Sequence, residues 1–273
     1  MGVVNPKANL EAVFFPDTRH GWVGGNVEGR GVIYQTRDGG KTWKLQRKLD
    51  DFEVSSVNGL WFRDKENGWA AGNADAVGSQ YGPYGFIFQT EDRGEHWRLQ
   101  YRAESKNGFH ALRFVNDVIG WVLAPDQILY TEDAGGHWIV RYRAREDRDD
   151  FFWGLDFVSP SEGWIVSGMF SGEVLRTLNT GKDWEAIALP PKEQIPSRKE
   201  TPFCISVKFA SSSEGWVGAS DGVVLSTTNG GKSWNAEDTG ETQTIRGLAI
   251  TPHAVFAVGT HGVILKRRLR SMD

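Results

Sequence analysis

One eight-residue phrase is spelled five times along the chain, as TRDGGKTW, TEDRGEHW, TEDAGGHW, TLNTGKDW and TTNGGKSW, ending at Trp43, Trp97, Trp138, Trp184 and Trp234. The steps between copies are 54, 41, 46 and 50 residues. A repeat of that length marks a supersecondary unit that cannot bury its own faces, so neighbouring copies must stack. Two further patterns keep the same period. A Gly–Trp pair falls at Trp22, Trp69, Trp121, Trp164 and Trp216, 17 to 28 residues before the tryptophan that ends each phrase. Ahead of each pair stands AVFFPD, GLWFRD, ALRFVN, GLDFVS or SVKFAS, with Ala12, Gly59, Ala111, Gly154 and Ser206 sharing one small-residue slot. A sixth, weaker copy, GLAITPHAVFAVGTHGVILKRR, puts Gly247 in that slot and lacks both tryptophans.

Each copy reads as four short strands, which in the first would occupy residues 10–15, 21–25, 31–35 and 43–46. The segments are rich in Val, Ile, Phe and Trp and are separated by Gly, Asp, Asn and Ser. No segment sustains apolar spacing of i, i+3, i+4, i+7, so helices should be nearly absent. The expected fold is all-β, a β-propeller of four-stranded blades. The small-residue slot counts six blades, near residues 8–49, 50–104, 105–146, 147–198, 199–241 and 242–273 of one domain.

The phrase falls where the third strand must reverse into the fourth. Asp38, Asp92 and Asp133, with Asn179 and Asn229 in the same slot, can accept hydrogen bonds from backbone N–H groups just downstream. Gly40, Gly94, Gly135, Gly181 and Gly231 share a slot that suits positive φ. Trp43, Trp97, Trp138, Trp184 and Trp234 then drop large rings between sheets. The phrase is a hairpin staple in this reading, without a catalytic role. The sixth copy stops after its third strand at GVILKRR, which would leave an unpaired edge. Residues 2–6 (GVVNP) are expected to supply the missing outer strand, where Pro6 is tolerated; the alternative is a gap sealed by another chain.

Thr-x-Asp-x-Gly-x-x-Trp resembles the Asp-box, or bacterial neuraminidase repeat, of sialidases, sortilin-type receptors and some xyloglucan hydrolases. Combined with GWVGG and AVFFPD, it is most similar to the photosystem II stability/assembly factor family and its bacterial relatives, over roughly residues 10–267. The resemblance implies a non-enzymatic propeller, exported to a lumen or periplasm. It also keeps seven blades open beside the six counted, because the photosystem relatives are similar to seven-bladed rings.

Thirty-one Lys and Arg stand against 35 Asp and Glu, a net charge of −4, which gives no basic surface for nucleic acid. Cys204, the one cysteine, excludes an internal disulfide or a cysteine-rich zinc site, and its apolar strand context predicts an inert buried thiol. No apolar run approaches the ~20 residues that span a bilayer. No secretory signal opens the chain as given, so the compartment is not assigned from the sequence.

Enzyme readings find little support. A sialidase resemblance would imply an arginine triad, a Tyr/Glu pair and a Phe/Tyr-Arg-Ile-Pro phrase, and AVFFPD has no such arginine. The six histidines are scattered without metal-ligand spacing, and no cofactor motif occurs. A glycoside hydrolase needs two facing carboxylates; Asp156 offers one, and no partner is marked.

Two binding surfaces are expected. One gathers the long irregular segments 73–85, 143–151 and 190–202, with Tyr81 and Tyr84 as anchors and Arg143, Arg145 and Arg148 beside them; the alternative is tolerated surface variation. The other is a channel mouth ringed by His110, Arg113, Trp153, Asp156, Lys208 and Arg246, fit for an anion or peptide, or else engaged in ordinary interblade ion pairs. The basic tail LKRRLR would meet an acidic partner or membrane surface, or simply keep an edge strand soluble. The sequence therefore reads as a monomeric, non-enzymatic scaffold binding another protein, with a glycan-binding or glycan-hydrolysing propeller as the alternative.

Overall fold

The computed structural model describes residues 7–48, 54–74, 84–103, 108–144, 151–167, 173–195, 202–237, 239–251 and 253–269. The fold is all-β, a six-bladed propeller of antiparallel sheets. Among the described residues, helix is confined to the short 3-10 turns Lys192–Gln194 and Thr260–Gly262. By backbone proximity the chain divides into two compact units, Met1–Val140 and Arg141–Asp273.

In the first unit, blade one is β1 (Ala8–Phe14), β2 (Gly21–Val27), β3 (Arg30–Thr36) and β4 (Lys44–Lys48). Blade two is β5 (Val54–Phe62), β6 (Gly68–Ala74), β7 (Tyr84–Thr90) and β8 (Arg98–Arg102). Blade three is β9 (Ala111–Phe114), β10 (Gly120–Leu123), β11 (Gln127–Thr131) and β12 (Ile139–Arg143), the last running over the division. In the second unit, blade four is β13 (Phe152–Phe157), β14 (Gly163–Ser167), β15 (Glu173–Thr177) and β16 (Glu185–Ile187). Blade five is β17 (Cys204–Phe209), β18 (Gly215–Ala219), β19 (Val224–Thr227) and β20 (Asn235–Glu237). Blade six has three strands among the described residues, β21 (Ile245–Thr251), β22 (Ala254–Gly259) and β23 (Ile264–Arg268). The expected first-blade strands agree with these within two residues at each end. The expected closing strand, residues 2–6, lies outside the described residues.

The repeated phrase builds one turn five times. The threonine that ends each third strand is its hub. The Thr36 hydroxyl donates to Asp38 Oδ1 at 2.8 Å and accepts the Gly40 N–H at 2.9 Å; Thr90, Thr131, Thr177 and Thr227 repeat both bonds. The Asp or Asn oxygen also accepts a backbone N–H four residues on, as from Thr42 to Asp38 at 2.9 Å. Gly40 and its four equivalents hold φ between 80° and 90°, the left-handed region that glycine enters without steric cost.

The aromatic residues of the repeat lock one blade to the next. In the first unit, Trp22 lies flat on Phe62 of blade two, with centroids 3.7 Å apart and planes at 12°. Its indole N–H donates to the Arg93 carbonyl in that blade's turn at 3.1 Å. Trp69 repeats the bond to Ala134 at 3.2 Å. In the second unit, Trp164 stacks on Phe209 at 3.5 Å and donates to Gly230 at 3.3 Å. A phenylalanine at or just past the end of the first strand in five blades, Phe15, Phe62, Phe114, Phe157 or Phe209, also meets the tryptophan that ends its own blade's turn, edge to face, at 6.0 to 6.1 Å and 79° to 83°. That phenylalanine explains the glycine of the Gly–Trp pair: a Cβ at Gly68 or Gly163 would run into the ring of Phe62 or Phe157. Cys204 is fully buried in the core of the second unit, and burial pushes its thiol up to about 12.

Candidate functional site

The polar residues expected at the channel mouth occupy two slots of the first strand. His110, Trp153 and Arg246 precede the small residue, whereas Arg113, Asp156 and Lys208 stand two places after it. Strand pairing sets Arg113 opposite Trp121, Asp156 opposite Trp164 and Lys208 opposite Trp216. A charged residue can therefore enter the otherwise aromatic layer at this slot, because the large tryptophan is supplied from the adjacent strand.

In the second unit this row is already paired. Asp156 is fully buried; its Oδ1 accepts from Lys208 Nζ at 2.8 Å and its Oδ2 from the Phe209 N–H at 2.9 Å. Both carboxylate oxygens thus tie blade four to blade five. Lys208 keeps 30% of its side chain exposed, and Arg246 is exposed. Trp153 is half-buried between Phe151, at 5.0 Å, and Phe203, at 5.4 Å. In the first unit His110 and Arg113 are half-buried, and the His110 backbone N–H donates to the Leu123 carbonyl at 2.8 Å.

The second expected surface is described only in part, at its strand ends and over residues 190–195 with the 3-10 turn Lys192–Gln194. Tyr84 opens β7, whose other end, Thr90, enters the turn, so Tyr84 lies at the end remote from that turn. Its ring is half-buried, with the Arg102 guanidinium stacked over it at 3.8 Å, a cation–π contact. Arg143 closes β12, again remote from its blade's turn, and is exposed. Tyr81, Arg145 and Arg148 lie outside the described residues, as do residues 75–83, 145–150 and 196–201 of the three long segments.

The turn residues carry the clearest electrostatic signature. The Thr42 hydroxyl, with its backbone N–H, holds the Asp38 carboxyl at about 2. The His137 backbone N–H and imidazole do the same for Asp133. At Asp92 burial opposes, but the His96 backbone and ring bonds prevail and lower it. These imidazoles contact the aspartates at 2.6 Å and serve the turn. Where the slot holds asparagine the polarity reverses: Asn179 Nδ2 donates to Asp183 Oδ2 and Asn229 Nδ2 to Ser233 Oγ, each at 2.8 Å. Sequence reasoning missed both the threonine hub and this exchange, although the pairing of Asp with Thr or His, and of Asn with Asp or Ser, was present at fixed spacing. Among the described residues, no group of three or more His, Cys, Asp or Glu is placed to hold a metal ion, and no helix is long and apolar enough to cross a membrane.

No family model matches the chain, and no curated protein matches it by sequence. Solved structures do resemble it. YCF48 bound to D1 peptide is 18% identical, matching 98% of this chain and 95% of that one with a TM-score of 0.56. YCF48 from Cyanidioschyzon merolae is 15% identical over 95% of each chain, with a TM-score of 0.53. The GH74 enzyme of Niastella koreensis is 14% identical, matching 94% of this chain with a TM-score of 0.68, but this chain spans only 44% of that one. At such identities the likeness establishes the β-propeller and nothing finer.

Proposed function

We propose that the chain is a non-enzymatic protein-binding scaffold of the assembly-factor type, acting as a monomer. The observation that carries this reading is the end-to-end correspondence with YCF48 bound to D1 peptide, 98% of one chain and 95% of the other. In this reading the five turns are Asp-boxes that stiffen the blades, and binding belongs to the strand ends remote from them. Tyr84 and Arg143 sit at such ends, with Tyr81, Arg145 and Arg148 in the adjoining segments. Tyrosine offers a rigid amphipathic ring and arginine a long-range steering charge, which together suit a peptide of acidic character.

The glycan reading draws on the higher TM-score, 0.68, with the GH74 enzyme. A glycosidase needs two carboxyl groups roughly 5–10 Å apart and open to substrate. Asp156, the acid that the first-strand row offers, has both oxygens engaged and no exposure, which weighs against hydrolysis there.

Affinity capture with the immobilised chain, read by mass spectrometry, tests the proposal. Tyr81→Ala with Tyr84→Ala, or Arg143→Ala with Arg145→Ala, should weaken capture about tenfold, ~1–2 kcal/mol. Arg37→Ala with Lys41→Ala, in a turn, should leave it intact. Loss confined to the turn variant would overturn the assignment of the binding end, and sugar release from xyloglucan or a sialoside would establish the glycan reading instead.

A further inference from the structure

Blade six departs from the repeat in a way that leaves a defined space. In the first unit the tryptophan that ends the second turn, Trp97, belongs to one buried cluster with Trp22, Ile33, Leu60, Ala70 and Phe88. In the second unit Trp234 shares a buried cluster with the register equivalents of those five, Trp164, Val174, Val207, Val217 and Leu225. One blade further on, the same five positions are Trp216, Val224, Leu248, Ala257 and Leu265. All five line an open cleft of about 220 Å³. That exceeds the ~150 Å³ at which an apolar cavity accepts a benzene ring. The cleft is the tryptophan socket of the repeat without its tryptophan.

A second observation points to an occupant. The indole N–H groups of Trp22, Trp69 and Trp164 each reach a carbonyl in the turn of the next blade. The Trp216 side chain lines the cleft, and its indole Nε1, the equivalent donor, is buried with no hydrogen-bond partner among the described residues. A buried donor without an acceptor is costly. Beside it runs β23, which has no outer neighbour among the described residues. Its exposed Lys266, Arg267 and Arg268 make that edge basic; Arg267 pairs with Glu237 at the cleft rim, and Lys266 Nζ lies 5.4 Å above the Phe256 ring.

We infer that the cleft is a socket for an aromatic side chain carried by an acidic, extended segment of a partner protein, which lies antiparallel along β23 as the fourth strand of blade six. The ring would fill the space that Trp97 and Trp234 fill elsewhere, a carbonyl of the segment would accept the Trp216 N–H, and its acids would meet Lys266 and Arg268. Strand addition to an open sheet edge is an established mode of peptide capture, with backbone bonds giving affinity and pockets giving selectivity. Two other occupants fit less well. A second copy would bring an equally basic β23 to the edge, and like charges across a strand pair are unfavourable. Residues 1–6 contain no aromatic side chain and would leave the socket unfilled. The inference rests on the protein-binding reading and gives it a further site with its own ligand chemistry.

The test is fluorescence anisotropy of a labelled peptide, TEDGGEEWEVEV, titrated with the full chain. Saturable binding is expected, weakened at least ~10-fold by replacing the peptide tryptophan with alanine, and weakened by salt because the edge is exposed. Lys266→Glu with Arg268→Glu, two surface changes, should weaken it by a similar factor at an unchanged melting temperature. Trp216→Phe should weaken it about fivefold by removing only the donor. No binding to the full chain would overturn the inference. So would binding that emerges only after residues 1–6 are deleted, which assigns the cleft to the chain itself, or self-association abolished by Lys266→Glu, which assigns it to a second copy. Peptide failure with capture still dependent on Tyr84 and Arg143 would sink this site alone and leave the protein-binding proposal standing.

Discussion

Replacing Trp97 by alanine tests whether the repeated phrase staples the blades. The ring is 4% exposed and meets Phe62 edge to face at 6.0 Å. An aromatic of this size buries roughly 150–250 Å², which at ~25 cal/mol per Å² is ~4–6 kcal/mol. Alanine keeps a small share, so Trp97→Ala should cost ~3–5 kcal/mol. The indole nitrogen has no hydrogen-bond partner among the described residues, so the effect is one of packing. Trp97→Phe should therefore cost under ~1.5 kcal/mol. Trp69→Phe makes the contrast, because its N–H serves both Gln100 Oε1 at 3.1 Å and the Ala134 carbonyl at 3.2 Å; its loss should add ~1–3 kcal/mol to the packing term. Asp92→Ala removes the acceptor of Thr90 and His96 and should cost ~1–2 kcal/mol, since water replaces part of the loss at a half-exposed turn. Equilibrium urea unfolding followed by far-UV circular dichroism and by tryptophan fluorescence reads these differences, provided the two probes coincide. Negligible effects at both Trp97 and Asp92, or equal effects of the phenylalanine substitutions at Trp97 and Trp69, would refute the staple.

Acid should loosen the turns in a defined window. Asp17, Asp38, Asp64 and Asp133 are held at about 2 against their usual 3.8, so each stabilises the fold above about pH 4 and loses that contribution as pH falls toward about 2; replacing all four by asparagine should flatten the melting temperature across that range. Gly68→Ala should destabilise more than Gly29→Ala, because a Cβ at Gly68 meets the Phe62 ring whereas one at Gly29 (φ 76°) meets nothing and pays only backbone strain of ~1 kcal/mol; comparable melting temperatures would show that the ring shifts aside freely. The Cys204 thiol, buried and pushed up to about 12, should resist a thiol reagent in the folded chain and react at once in denaturant; rapid native labelling would show that the second unit opens.

Much of the architecture was legible because it is local. Thr, Asp or Asn, Gly and Trp at fixed spacing specify a turn whose bonds all lie within five residues, and five copies at a near-constant period specify stacked sheets. The binding residues were less legible. Asp156 and Lys208 are 52 positions apart, and only the packing of β13 against β17 decided between a ligand-binding pair and the interblade ion pair that the sequence also allowed. Tyr84 likewise became half-covered by Arg102, because β7 and β8 lie side by side.

The sequence by itself determined the four-stranded blade and the site of its turn, because turn chemistry and backbone hydrogen bonding act over a few residues, and it counted six copies while leaving seven blades open. Only the tertiary structure decided what each repeated slot does between blades. Trp22 reaches the Arg93 carbonyl across 71 residues, and Trp164 reaches Gly230 across 66. Such contacts depend on the angle and distance at which one sheet packs on the next, which no local spacing encodes. The same holds for the cleft at blade six: Trp216, Val224, Leu248, Ala257 and Leu265 read as ordinary apolar strand residues until two sheets bring them together, and among the described residues no side chain fills the space between them.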